Sequence, residues 1–130
     1  MILFFIILMF SSAYASGLSD RISYFKKIKP EYRSLNFLSD QQGVILGNEM
    51  EALKVCAADY HETAGKIKKY KPKHYIYEFV RSDDERYFLI YIAPNNNAVQ
   101  KDNLPAYMGG DAFYLYDLKD AKLLYRQLFR

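Results

Sequence analysis

The sequence has little of the side-chain chemistry that metal and catalytic sites need. Its 130 residues include one cysteine and two histidines. The histidines, His61 and His74, lie far apart, and neither an H-x-x-x-H spacing nor a second cysteine accompanies them, so a zinc site is not expected. No glycine-rich phosphate loop and no Gly-x-Ser-x-Gly elbow occurs. We therefore predict no catalytic residue, no metal ion and no cofactor.

The lone cysteine excludes an internal disulfide, so the domain depends on its core for stability. Cys56 lies at helical spacing from Leu53 and Tyr60, which predicts a buried, inert thiol. A reactive cysteine would need a histidine beside it. His61 is five positions further along a helix and therefore points away from the face that carries Cys56.

The charge is mild and mostly interleaved. Eighteen basic and 15 acidic residues leave a net charge of +3, without the clustered basic face that is typical of nucleic-acid binders. The exception is the stretch 66–73, which holds five lysines. It is typical of a solvated helix end and linker, and the alternative is a basic docking surface for an acidic partner, formed by Lys68, Lys69 and Lys71.

The first 15 residues carry no charged side chain. An apolar run leads to Ala13-Tyr14-Ala15, the small-x-small pattern after which a signal peptidase cuts. The run is shorter than the roughly 20 apolar residues that cross a bilayer. We therefore predict a signal peptide at 1–15 and one mature domain at 16–130, periplasmic or secreted and free of the membrane after cleavage. An uncleaved anchor is the alternative, since no lysine or arginine precedes the apolar run.

Two helices are predicted ahead of the strands. An apolar stripe favours an amphipathic helix at Ser16–Lys29, which Pro30 ends, with another turn or two possible within Glu31–Leu38. Asn48 is the expected cap of the second helix, which fades around Thr63 to Gly65. Its buried side is expected to carry Met50, Leu53, Cys56 or Ala57, and Tyr60.

Four runs rich in aromatic and branched residues predict strands: His74–Val80, Tyr87–Ala93, Ala112–Leu118 and Lys122–Phe129. Short polar turns join the first two and the last two into hairpins. The stretch between them, Pro94–Asp111, is long for a connection and favours a functional loop. It ends at Gly109-Gly110, which allow a sharp turn into the third strand. The fold class is α+β, with helices packed on a curved antiparallel sheet of about four strands.

The predicted strands are apolar on both faces, but one helix layer covers only one of them. The other face must meet a second layer, a partner or water, and we expect it to be left bare as a tyrosine-lined surface for a partner. Tyrosine suits a partner surface because a large ring carries a polar tip and few rotamers are frozen. The alternative is a half-buried sheet whose outer tyrosines shield their neighbours from water. If the first hairpin pairs them, Tyr75, Tyr77, Tyr87 and Tyr91 are expected to share one face. The contact candidates are Tyr75, Tyr77, Tyr87, Tyr91, Tyr107 and Tyr114.

The chain resembles the NTF2-fold immunity proteins over roughly Glu49 to Leu128. In that family a helix is followed by a proline, an aromatic strand, a Gly-Gly step and a terminal hairpin with an Asp-x-Lys-x-Gly-Lys turn. The turn here is Asp117-Leu118-Lys119-Asp120-Ala121-Lys122, with Ala121 in place of the glycine. The matching segments are Glu51–Tyr60, Lys71-Pro72, Arg86–Ile92, Gly109-Gly110, Phe113–Asp117 and Lys119–Tyr125. Their order is also similar to that of PepSY and cystatin-like domains.

The resemblance implies a protein that binds a partner: a toxin or a hydrolase that it neutralises by covering the active cleft. PepSY-like and cystatin-like relatives would imply a periplasmic enzyme inhibitor. A small-ligand carrier or an enzyme is the rival class and predicts a deep pocket between helix and sheet. A structural envelope protein predicts self-association through the sheet.

Overall fold

The computed structural model describes residues 20–38, 44–63, 70–106 and 110–128. The chain forms two compact units, Met1–Leu35 and Asn36–Arg130. The predicted signal peptide lies outside the described residues.

The first unit contains a helix, α1, over residues 20–28. The Lys29 amide donates to the Phe25 carbonyl at 2.9 Å, and Pro30–Tyr32 then forms a 3₁₀ turn. Proline stops the helix because it disfavours helical geometry in the residue before it. The Phe25 ring is buried and stacks on Tyr32 with 5.6 Å between centroids. The predicted end of this helix is confirmed.

The second unit is built on α2, Gly47–Thr63. Its buried stripe consists of Glu49, Ala52, Cys56 and Tyr60, which recur every three to four residues. Met50, expected in that stripe, is 40% exposed. Asn48 is not the cap, since the helix begins at Gly47 and the Glu49 carboxylate accepts the Leu46 amide at 2.8 Å. Among the described helices, none is both long and apolar enough to cross a bilayer.

Within the described ranges the sheet is antiparallel and has five strands in sequential order. Its four long strands confirm the predicted α+β class with a curved sheet, and α2 packs against β3, β4 and β5. The short strand β1 pairs only with the end of β2. It was not predicted because two residues are too few to show a strand pattern. The bounds are β1 Phe37–Leu38, β2 Tyr75–Ser82, β3 Tyr87–Pro94, β4 Ala112–Asp117 and β5 Lys122–Leu128.

The long connection between β3 and β4 contains a short helix, α3, Asn96–Lys101. The Asn95 side chain accepts the Ala98 amide at 3.4 Å, and an asparagine at this position caps a helix start. The connection was predicted as a loop because six residues are too few for a periodic signal. Gly110, which precedes β4, has φ 78°, a conformation that glycine adopts without steric cost.

The core of the second unit lies between α2 and one face of the sheet, which we call the inner face. Ala52 and Cys56 are small and fully buried, so α2 can approach the strands closely. The inner face carries Tyr75, Tyr77 and Phe79 of β2, Phe88, Ile90 and Ile92 of β3, and Ala112, Tyr114 and Tyr116 of β4. We call the opposite face the outer face.

The turn between β4 and β5 provides a test of this backbone. Ala121 has φ 52°, a left-handed conformation in which a side chain costs roughly 1–2 kcal/mol. We expect Ala121→Gly to raise the free energy of unfolding by about 1 kcal/mol in urea denaturation. The control is Ala58→Gly on the exposed side of α2, which should lower it by about 1 kcal/mol. An equal decrease in the free energy of unfolding of both variants would show that the backbone at Ala121 is not left-handed.

Candidate functional site

The four tyrosines of the first hairpin lie on opposite faces of the sheet, so the expectation that they share one face is wrong. Tyr77 pairs with Ile92, whereas Tyr91 pairs with Glu78. This register places odd-numbered residues of β2 beside even-numbered residues of β3. Successive side chains of a strand alternate between faces, so Tyr75 and Tyr77 point inward while Tyr87 and Tyr91 point outward.

Two of the contact candidates are core residues. Tyr75 is 7% exposed and Tyr114 is fully buried. The Tyr75 ring meets the edges of Tyr60 and His61, with centroids 5.4 and 4.9 Å away. Burial raises the pKa of Tyr114, as does the nearby Asp59 carboxylate. Neither ring can reach a partner while the fold is intact, which corrects the prediction for both.

Tyr77 lies at the rim of the same aromatic cluster and is partly exposed. Its hydroxyl is 3.0 Å from Nε2 of His61, and burial lowers the pKa of that histidine. The two groups share a hydrogen bond, and the tautomer of the imidazole decides which of them donates. His61 thus positions Tyr77.

Tyr87 and Tyr91 are the candidates that the structure places on the outer face, where both are partly exposed. The Arg86 guanidinium lies 5.1 Å from the Tyr87 ring centroid, a cation–π distance. The Tyr91 hydroxyl donates to Asp111 at 2.7 Å. Glu78 is the cross-strand neighbour of Tyr91, and burial raises the pKa of its carboxyl.

The centre of the outer face is shielded from solvent, so the expectation of a bare face is wrong there. Val80, Leu89, Phe113 and Leu115 are each at most 1% exposed. The partly exposed tyrosines therefore flank a buried apolar centre. This arrangement leaves only the rim of the outer face for contact with another molecule.

The remaining predicted residues are mostly outside the described part of the chain. Lys68, Lys69, Tyr107 and Gly109 are in this group, so their proposed roles stay predictions. Lys71 is exposed, and its backbone amide donates to Nδ1 of His74 at 2.8 Å.

His74 is a buried structural residue rather than a surface one. Its ring accepts the Lys71 amide at Nδ1 and donates from Nε2 to Asp102 at 2.7 Å. Lys73 also contacts Asp102, at 2.9 Å. The hydrogen bonds from Lys73 and His74 lower the pKa of Asp102. These contacts connect the residues just before β2 to the C-terminal end of α3.

The thiol of Cys56 is buried, as predicted. Burial, with a smaller effect of Asp59, raises its pKa to about 12. A thiolate is the nucleophilic form, so this cysteine is inert near neutral pH.

Shallow grooves lie on the surface of the described part of the second unit, and two of them are formed by hairpin residues. One lies between the hairpin turns and the start of α2, and the other lies along β5. Within the described ranges, no three His, Cys, Asp or Glu side chains are grouped as metal ligands would be.

Sequence reasoning missed a buried ion pair at the start of α2. Nε of Arg81 lies 2.5 Å from Oε2 of Glu49, and Nη2 lies 2.6 Å from Oε1. Arg81 also donates to the Val44 carbonyl at 3.0 Å. Glu49 falls four residues before Leu53 and seven before Cys56, a spacing that could have identified it as part of the buried stripe.

Comparison of the chain with protein-family models, with curated proteins and with solved structures finds no match.

Proposed function

We propose that this chain is an exported binding protein that neutralises a bacterial toxin or hydrolase by covering its active cleft. The observation that carries the proposal is the pair Tyr87 and Tyr91, partly exposed on one face of a central strand. Tyrosine is enriched at protein interfaces because its ring and hydroxyl tolerate both apolar and wet surroundings. The two tyrosines are four positions apart in the strand, so their rings project from the same side of β3.

The strand that carries these rings is held rigidly. β3 is hydrogen-bonded to β2 on one side and to β4 on the other. The Tyr87 ring rests against Arg86, and the Tyr91 hydroxyl is held by Asp111. Side chains that are already ordered lose little entropy on binding, which favours tight association.

Export is part of the same proposal. Its support is the uncharged apolar stretch at 1–15, which ends in Ala13-Tyr14-Ala15. An exported binder would meet toxins that are delivered to the periplasm. Capture by Lys68, Lys69 and Lys71 of an acidic partner would add long-range attraction, because clustered charge steers association.

The test is capture of a partner from periplasmic extract with the tagged chain, followed by purification of that partner and an assay of its activity. We expect one equivalent of the chain to abolish the activity. Tyr87→Ala and Tyr91→Ala should each weaken the complex by about 2 kcal/mol or more, roughly 30-fold in Kd. The matched controls Tyr87→Phe and Tyr91→Phe keep the ring and should retain most of the affinity.

Two results would reject the proposal. One is a captured partner that stays fully active in the complex. The other is a complex whose Kd is unchanged by both alanine variants, provided that thermal unfolding shows that each variant is folded.

A further inference from the structure

A second surface, distinct from the outer-face tyrosines, gathers exposed apolar side chains at the start of α2. Val44 is 55% exposed, Leu46 37% and Met50 40%. These are three of the five large apolar side chains found exposed in the described part of the chain, and they fall within seven residues. Single exposed apolar residues are ordinary on protein surfaces, whereas a cluster of them marks an interaction site.

The apolar side chains are held in place by the surrounding backbone. The Met50 amide donates to the Leu46 carbonyl at 2.9 Å, so residues 46 and 50 lie one helical turn apart on the same side. The Val44 carbonyl accepts from Arg81 at 3.0 Å, next to the end of β2. The cluster is therefore fixed beside the turn between β2 and β3.

That turn is acidic. Asp83, Asp84 and Glu85 are all exposed, and Asp84 and Glu85 line the same groove as Asn48 of α2. Arg81 links this turn to the apolar cluster, because it donates to the Val44 carbonyl and the Glu85 carboxylate helps to raise its pKa. We call the combination of Val44, Leu46, Met50, Asp83 and Glu85 the hairpin-end surface.

The basic side chains nearby are largely occupied by other carboxylates. Arg81 is bound by Glu49, and Arg86 contacts Asp117 at 3.1 Å. Lys119 also lines the groove. Among the described residues, neither Asp83 nor Glu85 has an ion-pair partner, and the Asp84 carboxylate is used within its turn by Ser82 and the Arg86 amide. The hairpin-end surface is therefore apolar on one side and negatively charged on the other.

From this arrangement we propose that the hairpin-end surface docks a basic amphipathic segment of a partner protein. Apolar side chains of that segment cover Leu46 and Met50, while its lysines or arginines face Asp83 and Glu85. Charge complementarity selects this occupant, because opposite potentials across an interface favour the matching partner and disfavour others. The inference does not depend on the tyrosine surface or on neutralisation of a toxin.

The test uses a labelled 14-residue peptide of leucine and lysine patterned as an amphipathic helix, with a leucine–glutamate peptide for comparison. The purified chain carries a net charge of +3, so general attraction of a cationic peptide is not expected. We expect the lysine peptide to bind, and its binding to weaken with added salt because exposed charges are screened. The glutamate peptide should not bind. Amide shifts should change at residues 44–50 and 83–86.

Two double variants and a control locate the binding. We expect the Kd of the lysine peptide to rise by about tenfold or more in each double variant, Leu46→Ser/Met50→Ser and Asp83→Asn/Glu85→Gln. Val55→Ser is the matched control, since Val55 is 44% exposed on another side of α2, and it should leave binding unchanged.

Four results would overturn the inference. The first is that the lysine peptide binds every variant equally, and the second is that amide shifts change only on another surface. The third is that the lysine peptide does not bind at all. The fourth is that sedimentation shows self-association of the chain through the surface that contains Met50.

Discussion

Replacing Arg81 with methionine should lower the free energy of unfolding at pH 7 by about 3 kcal/mol or more. The Glu49 side chain is fully buried, and that of Arg81 is 12% exposed. Two contacts join them, and the Leu46 amide supplies a third hydrogen bond to the carboxylate. Removal of the guanidinium leaves a buried carboxylate without its countercharge, which is far more costly than loss of a surface pair. Urea denaturation measures the difference.

The contribution of Glu49 to the pH dependence of stability should have opposite signs in Arg81→Met and in the native protein. Burial acts to raise the pKa of Glu49, but the hydrogen bonds from Arg81 and Leu46 and the charge of Arg81 outweigh it, so the pKa is lowered. The ion pair therefore stabilises the native protein above the ordinary pKa of glutamate, and this stabilisation is lost as the pH falls through the lowered value. Without Arg81, burial raises that pKa. The variant should then gain stability on acidification from pH 7 to 4.5, and the gap to the native protein should narrow.

The control is the pair replaced as a unit. Glu49→Met/Arg81→Met leaves no buried charge, and apolar replacement of a whole buried pair is often close to neutral. We expect this double variant to be more stable than Arg81→Met alone, although the Leu46 amide loses its acceptor. A cost of less than about 1 kcal/mol for Arg81→Met, with strictly additive single effects, would show that the pair is not coupled.

The sequence predicted the strands because each is a continuous run of aromatic and branched residues bounded by polar turns. It did not correctly predict which side of α2 faces the sheet. Met50 is apolar and Glu49 is charged, so residue polarity predicted that Met50 is buried, whereas Glu49 occupies the buried position. The partner that makes burial of Glu49 possible is Arg81, 32 residues further along the chain, and no local pattern connects the two.

The candidate site was harder to predict because it depends on register. The pairing of Arg81 with Phe88 decides which tyrosines of the hairpin share a face. A shift of one residue would move every side chain of one strand to the other face, and the turn residues Ser82–Glu85 are compatible with more than one loop length. The tyrosines were therefore identified as a group, but their division between core and surface was not.

Leu115→Ala should lower the free energy of unfolding by about 2–5 kcal/mol, the usual range for a truncated buried leucine. Leu115 lies in β4 on the outer face and is fully buried, next to Leu89 at 1% exposure. If that face were bare, as the sequence suggested, the loss would fall within about 0.5 kcal/mol. Urea denaturation distinguishes the two cases. Ile90→Ala provides the reference for the inner face, and Leu124→Ala, at a partly exposed position in β5, should have a smaller effect than either.

The same variant separates stability from binding. The centre of the outer face is shielded, so a partner on that face should contact the rim at Tyr87 and Tyr91 and not Leu115. Leu115→Ala should therefore reduce stability while leaving the Kd of a captured partner within about threefold of the native value, measured where the variant is folded. A large loss of affinity with little loss of stability would mean that Leu115 is accessible and that the partner occupies the centre of the face.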